Sequence, residues 1–298
     1  MSDKLSPAID VLIPHRCLLG EGPVWDARRH SLIWVDILRG EIHEYIPAEG
    51  KHLRLELGDM IGAFSLLPDG RFLAALQQGL ALVSRDGETI EHVANPEAHL
   101  PENRFNDGKC DPQGRFWIGS MHLEEKPGAG NLYRVDADLE VVPQLSGVGV
   151  SNGLTWSADS QTFYYIDSPS RSVMAYDFDP ASGSISHPRK IISVPEEDGC
   201  PDGMTIDKAG KLWIAHWDGA QVLRWDPETG EKLLKVELPV SRVTSCAFGG
   251  ENYQDLYITS ARVGLSEAQL AQEPLAGSTF VLRSCGFAGF PMADFAMA

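Results

Sequence analysis

Three stretches of this chain repeat one another. Glu21-Gly22-Pro23-Val24-Trp25-Asp26, Asn106-Asp107-Gly108-Lys109-Cys110-Asp111 and Pro201-Asp202-Gly203-Met204-Thr205-Ile206-Asp207 each pass through a short polar turn into an apolar run. The runs are Leu32-Ile33-Trp34-Val35, Phe116-Trp117-Ile118 and Leu212-Trp213-Ile214, whose β-branched and aromatic content and length read as strands. A repeat with a polar residue at one fixed offset places that residue at one fixed point of each structural unit. If the units form a ring, those residues converge.

The turn signals recur along the whole chain, at positions 26, 69, 111, 159, 207 and 251, which are 42 to 48 residues apart. A period in the forties with several short strands per unit predicts the blades of a β-propeller. Six anchors predict six blades and an all-β fold with a central site. Each blade reads as an inner strand, a turn, a second strand and an outer pair. In the fourth unit these are Leu154–Trp156, Thr162–Ile166, Ser172–Phe178 and Arg189–Val194, with a turn-rich loop from Asp179 to Ser184. A helical solenoid is disfavoured because the strong runs lack a 3.6-residue period. Ile9–Ile13 precedes the first inner strand and is a spare strand, expected to pair with the last blade and lock the ring. The tail from Gly286 to Ala298 carries no blade pattern. No linker or low-complexity segment interrupts the chain, so residues 1–298 are read as one domain.

Aligning the units from their strands places Glu21, Asn106, Asn152 and Asp202 at the start of the innermost strand in four of six units, with Gly62 and Ser245 in the other two. The neighbours Gly22, Gly108, Gly153 and Gly203 permit tight backbone geometry. Asx residues at strand starts often only bond nearby backbone, but four oxygen-bearing side chains in register point to a site. Two carboxylates and two carboxamides are hard oxygen ligands, suited to one divalent cation such as Ca²⁺, Mg²⁺ or Mn²⁺. Zn²⁺ is admissible, although no His or Cys in the set favours it.

Bulk properties narrow the partners. The 298 residues are 43% hydrophobic with a net charge of −17, which argues against nucleic acid and anionic membrane. No apolar run approaches the roughly 18 residues that span a bilayer. The N-terminus lacks a basic region followed by an apolar stretch, so a signal peptide is not expected. The five cysteines are widely spaced and include no Cys-x-x-Cys pair, so neither a disulfide framework nor a thiolate metal site is expected. A cytoplasmic location and a monomer are the default expectations.

Gly20–Trp25, Arg104–Lys109, Ser151–Trp156 and Pro201–Met204 resemble, in order, the signature segments of the senescence-marker-protein/gluconolactonase family, which includes regucalcin and luciferin-regenerating enzyme. The resemblance runs from about Leu18 to about Gly277. It implies a six-bladed propeller with one divalent metal in the channel and hydrolysis of a sugar lactone, a small-molecule substrate. By matching segments it assigns Glu21, Asn152 and Asp202 as metal ligands and Arg104 and Asn106 as substrate-binding residues. Glu124, in the loop Met121-His122-Leu123-Glu124, matches a sugar-contacting position. Asp202 is the expected catalytic group, orienting the attacking water or taking its proton. Two alternatives stay open: a phosphotriesterase or phosphofluoridate hydrolase on the same scaffold, and a non-enzymatic calcium-binding propeller. Polar Arg104, Asn106 and Glu124 favour a polyhydroxy substrate, whereas an apolar channel mouth would favour the phosphoester rival.

Three further features are read as structural or coincidental. Gly149-Val150-Ser151-Asn152-Gly153 matches a nucleophile elbow, but that motif needs a helix after it and strands are expected here. Trp34, Trp117 and Trp213 sit at equivalent places and are expected to pack blades. Trp217 could edge the channel mouth, and His122 and His216 are expected in surface or turn roles.

Overall fold

A computed structural model describes residues 3–4 and 9–298. The chain is a six-bladed β-propeller, each blade an antiparallel four-stranded sheet. Blade 1 comprises Gly20–Asp26, Ser31–Asp36, Glu41–Ile46 and Lys51–Glu56. Blade 2 begins at Ile61–Leu66, blade 3 at Asn103–Cys110, blade 4 at Ser151–Trp156, blade 5 at Cys200–Ile206 and blade 6 at Val243–Gly249. The fourth unit runs Ser151–Trp156, Thr162–Asp167, Ser172–Asp179 and Ser184–Ser193, close to the sequence reading. The loop inside blade 6 carries a short helix, Glu267–Gln272, opened by a capping box between Ser266 and Gln269. Among the described residues no helix is long and apolar enough to cross a membrane.

The ring closes as expected. Asp10–Ile13 is the outermost strand of blade 6, antiparallel to Thr279–Leu282. At the seam, Trp25 of blade 1 stacks on Tyr257 of blade 6 with ring centroids 5.6 Å apart. Asp3–Lys4 pairs in parallel with Leu234–Lys235 at the edge of blade 5.

The repeating aspartate explains why the period is legible. Asp111 and Asp207 end innermost strands and cap the turns that follow. Asp207 accepts from the backbone N–H groups of Ala209 and Lys211 and from the indole of Trp213 at 2.9 Å. Asp111 does the same with Gln113, Arg115 and Trp117. The three inner tryptophans are wholly buried between blades. Blade 1 departs from the pattern because its turn is longer. Asp26 is ion-paired to Arg85 and the Trp34 indole N–H has no partner.

The C-terminal tail is not a blade. It laces the turns on the face away from the inner-strand starts. The Ala288 carbonyl accepts from Lys208 and the Gly289 N–H donates to Tyr253. Asp294 pairs with Arg28, Phe295 donates to Leu66, and Ala296 donates to Gly114. Phe295 is wholly buried. Five of the six blades are thereby touched.

Asp207 also receives the guanidinium of Arg224 at 2.7 Å. Replacing it strands a buried cation, an indole and two turn amides together. Asp207→Ala is expected to lower unfolding stability by about 3–5 kcal/mol, read from urea melts, with Asp207→Asn recovering part of the loss.

Candidate active site

All six innermost strands break register at the same level. The breaks fall at Glu21/Val24, Ile61/Ala63, Phe105/Gly108, Asn152/Leu154, Pro201/Met204 and Val243/Ser245. A bulge twists a strand and re-aims its side chains, and here six bulges form one ring around the channel. Glycine is required at several of them because the strands of adjacent blades touch. A Cβ on Gly153 would lie 2.5 Å from the Asp202 carbonyl oxygen, and one on Gly62 would lie 2.4 Å from the Phe105 carbonyl.

Four of the predicted residues come together. Glu21, Asn106, Asn152 and Asp202, with Arg104, line a single cavity of about 660 Å³ at the channel mouth. All five are buried. Asn152 donates through Nδ2 to Ser168 Oγ at 3.0 Å, and Ser168 in turn donates to the Pro201 carbonyl. That relay fixes the amide so that Asn152 Oδ1 has no partner. Asp202 Oδ1 is also buried without a partner. Glu21 accepts one bond, from the Gly22 N–H. Buried polar atoms are normally paired. Two orphaned oxygens, one amide and one carboxylate, and the further carboxylate of Glu21 around one cavity therefore fit a hard divalent cation.

Asn106 is used differently. Its Oδ1 accepts from Arg104 Nη1 at 2.7 Å and its Nδ2 donates to the Ser151 carbonyl at 2.8 Å. Both ends of the amide are engaged in holding Arg104 against the site. Glu124 lies outside the cavity lining, exposed and 3.3 Å from Lys126. Its neighbour Glu125 lines the mouth instead, turned there by a left-handed backbone at φ 52°.

Asp107, not singled out from the sequence, is buried beside the others. Its charge pushes up the carboxyl groups of both Glu21 and Asp202. Burial is the larger cause for both, and Arg104 offsets part of it. Burial also raises Asp107, against the pull of Lys109. Lys109 donates to the Met204 carbonyl at 2.7 Å. The register break is the sequence-hidden cause: it puts two residues opposite one, so strand alternation does not predict where Asp107 faces.

The mouth is mixed in character. Leu19, Leu38, Met121, Leu123, Val150, Pro169, Trp217 and Val263 form much of the rim, with Glu125 and Arg242 among them. Trp217 does edge the channel, under the Arg242 guanidinium at 4.7 Å. His216 is fully buried with neither ring nitrogen bonded. His122 faces a different hollow on blade 3 and pairs with Glu102. The serine of the elbow-like motif is inert by position. Ser151 starts a strand, is buried, and accepts from the Tyr165 hydroxyl.

Comparison with known proteins gives the family of the chain. Residues 19–262 match the model of the SMP-30/Gluconolactonase/LRE-like region. The chain belongs to this family. Regucalcin of Gallus gallus is 38% identical over 296 residues, covering 98% of this chain and 99% of that protein. Among solved structures, a calcium-binding protein, regucalcin, from Agrobacterium tumefaciens superposes with a TM-score of 0.94 at 30% identity, covering 99% of both chains. A luciferin-regenerating enzyme superposes with a TM-score of 0.91 at 34% identity, covering 98% of this chain and 99% of that one. These family members share the propeller from end to end.

Two outcomes follow from the packing and charge of the site. A methyl group at position 153 must push blades 4 and 5 apart, so Gly153→Ala is expected to cost about 1–3 kcal/mol and to weaken divalent-ion binding in calorimetric titration. The second concerns pH. Glu21 and Asp202 are raised above their ordinary values of 4.5 and 3.8. The ion-free folded chain therefore binds more protons than the unfolded chain, and its stability falls as pH rises from those values through the raised ones. A bound cation reverses that loss. The melting temperature of chelated protein is expected to fall as pH rises across this window, from the ordinary values through the raised ones, and added divalent ion to restore more at high pH than at low.

Proposed function

We propose that this chain hydrolyses a sugar lactone, an aldonolactone, to the open-chain aldonic acid, using one divalent cation held by Glu21, Asn152 and Asp202. The observation that carries the reading is the pair of orphaned oxygens, Asn152 Oδ1 and Asp202 Oδ1, facing the cavity that Arg104 also lines. When bound, such an ion supplies Lewis acidity toward a carbonyl and lowers the pKa of water.

The chain's own groups do the rest. Asp202, whose proton affinity is raised by burial and by Asp107, takes the proton of the attacking water as it adds to the lactone carbonyl. The ring C–O bond then breaks, and the proton passes from Asp202 to the departing ring oxygen, which becomes a hydroxyl of the open-chain acid. Arg104, pushed down to about 10 by burial, still carries its charge at neutral pH. It spends Nη1 on Asn106 and the Phe105 carbonyl and keeps further N–H donors for oxygen that gains charge. Asn106 contributes by holding Arg104. Glu125 takes the sugar-contacting role at the rim that the sequence suggested for Glu124.

The apolar part of the rim favours a second reading, hydrolysis of a phosphoester or phosphofluoridate with apolar substituents. A calcium-binding role fits the oxygen-only donor set as well, and the Agrobacterium tumefaciens relative is described as calcium-binding.

The test follows acid release from glucono-, galactono-, xylono- and arabinonolactone, and phenol release from a dialkyl aryl phosphate. Each runs against a no-enzyme blank, after chelation, and after adding back Ca²⁺, Mg²⁺, Mn²⁺ or Zn²⁺. Lactone turnover that is lost on chelation and restored by an ion is the expected result. Asp202→Asn should lower kcat by about 10²–10⁴. No lactone rate above the blank with any ion would overturn the reading, and phosphoester turnover alone would replace it.

A further inference from the structure

Away from the channel, at the seam between the closing strand and blade 1, four residues with metal-binding chemistry meet. His15 lies two residues beyond the end of Asp10–Ile13. Glu41 and His43 are on the third strand of blade 1 and His52 is on its outermost strand. His15 Nε2 is 3.4 Å from Glu41 Oε2, and His43 Nε2 is 3.1 Å from the same oxygen. One ligand atom from each of His15, Glu41 and His43 lies within 4.8 Å of the other two. Ligands about 2.0–2.1 Å from a tetrahedral ion are separated from one another by about 3.3 Å, close to these spacings.

Two independent features point to a ligand rather than to a bonded cluster. His43 is wholly buried, yet its Nε2 makes no hydrogen bond. The other ring nitrogen, Nδ1, is 3.0 Å from His52 Nε2. A hydrogen bond there, donated by His43, leaves the Nε2 lone pair free to coordinate, the arrangement that orients metal-binding histidines. Trp34 stacks on both His43 and His52, with centroids 5.1 and 5.3 Å away and planes 12° apart, and fixes the rings.

Charge around the cluster is compatible with a cation. Arg54 engages only the second oxygen of Glu41, at 3.3 Å. His15 is 22% exposed and gives an entry path.

We propose that His15, Glu41 and His43, with His52 orienting His43, form a second metal site that takes a Zn²⁺-like ion and staples the ring-closing segment to blade 1. Two imidazoles and one carboxylate suit a borderline ion over Ca²⁺ or Mg²⁺, the opposite preference from the all-oxygen channel site.

The probe is Zn²⁺, titrated calorimetrically into the metal-stripped full-length chain and followed by thermal melts. The wild type is compared with His15→Ala, Asp202→Asn and the double variant, each checked for folding by circular dichroism. His15 is on the surface side of the cluster, and His15→Gln repeats the comparison with a residue of similar size. Asp202→Asn is expected to keep one Zn²⁺ per chain and a Zn²⁺-dependent rise in Tm, and adding His15→Ala to remove both. His52→Gln is expected to weaken uptake about tenfold or more. Uptake and Tm shift that survive His15→Ala unchanged in the Asp202→Asn background would overturn the proposal, as would a folded Asp202→Asn chain that takes up no Zn²⁺. Loss confined to the Asp202 arm bears on the channel reading, and loss confined to the His15 arm bears on the seam.

Discussion

The approach of neighbouring innermost strands at the waist of the ring governs everything above it. Adjacent blades meet where Gly62 and Gly153 lie against the backbone of Phe105 and Asp202, and Gly203 against the side chain of Ser245. No side chain larger than hydrogen fits there without displacement. The same residues sit in the register breaks that turn Glu21, Asn106, Asn152 and Asp202 toward the axis. Close packing and convergence of oxygen-bearing side chains are thus one geometric solution. A ring wide enough to relax the glycines would also spread those side chains apart.

Gathering three carboxylates in a buried space is costly unless positive charge comes with them. Arg104 and Lys109 supply two cations, yet the carboxyl groups of Glu21, Asp107 and Asp202 all remain raised by burial. The two unpartnered oxygens say the same thing in hydrogen-bond terms. Elsewhere the chain satisfies its buried acids. Glu97 accepts from Asn103, Ser120, Asn131 and Tyr133, and Asp207 accepts four donors. The contrast separates these saturated acids from the under-bonded groups at the channel mouth, on which the proposed cation site rests.

Much of this was legible in the sequence because the repeat is held by local chemistry. An aspartate that caps its own turn and binds a tryptophan six residues on leaves a readable mark at Asp111–Trp117 and Asp207–Trp213. The spare N-terminal strand and the four in-register oxygen residues were legible for the same reason, being defined by offset. What escaped depended on backbone irregularity. Asp107 shares its bulge with Asn106, so alternation misplaces it. Glu125 rather than Glu124 lines the mouth, through one left-handed residue in a loop. The tail from Gly286 onward packs along several turns without regular structure, and no periodicity announces such a path. The cluster of His15, Glu41, His43 and His52 joins segments that meet only once the ring is closed.

Repeat architectures that end in open edges lose structure from their termini inward, one unit at a time. This chain offers no such starting point. The strand Asp10–Ile13 is the outer rail of blade 6, Asp3–Lys4 sits on the edge of blade 5, and the tail from Gly286 runs beneath the turns of blades 5, 6, 1, 2 and 3. Both ends therefore cross the same junction from opposite sides of the disc, like a belt fastened by buckle and loop. Pulling on either terminus loads the seam rather than peeling a blade, and the whole ring is left to come apart as one cooperative unit.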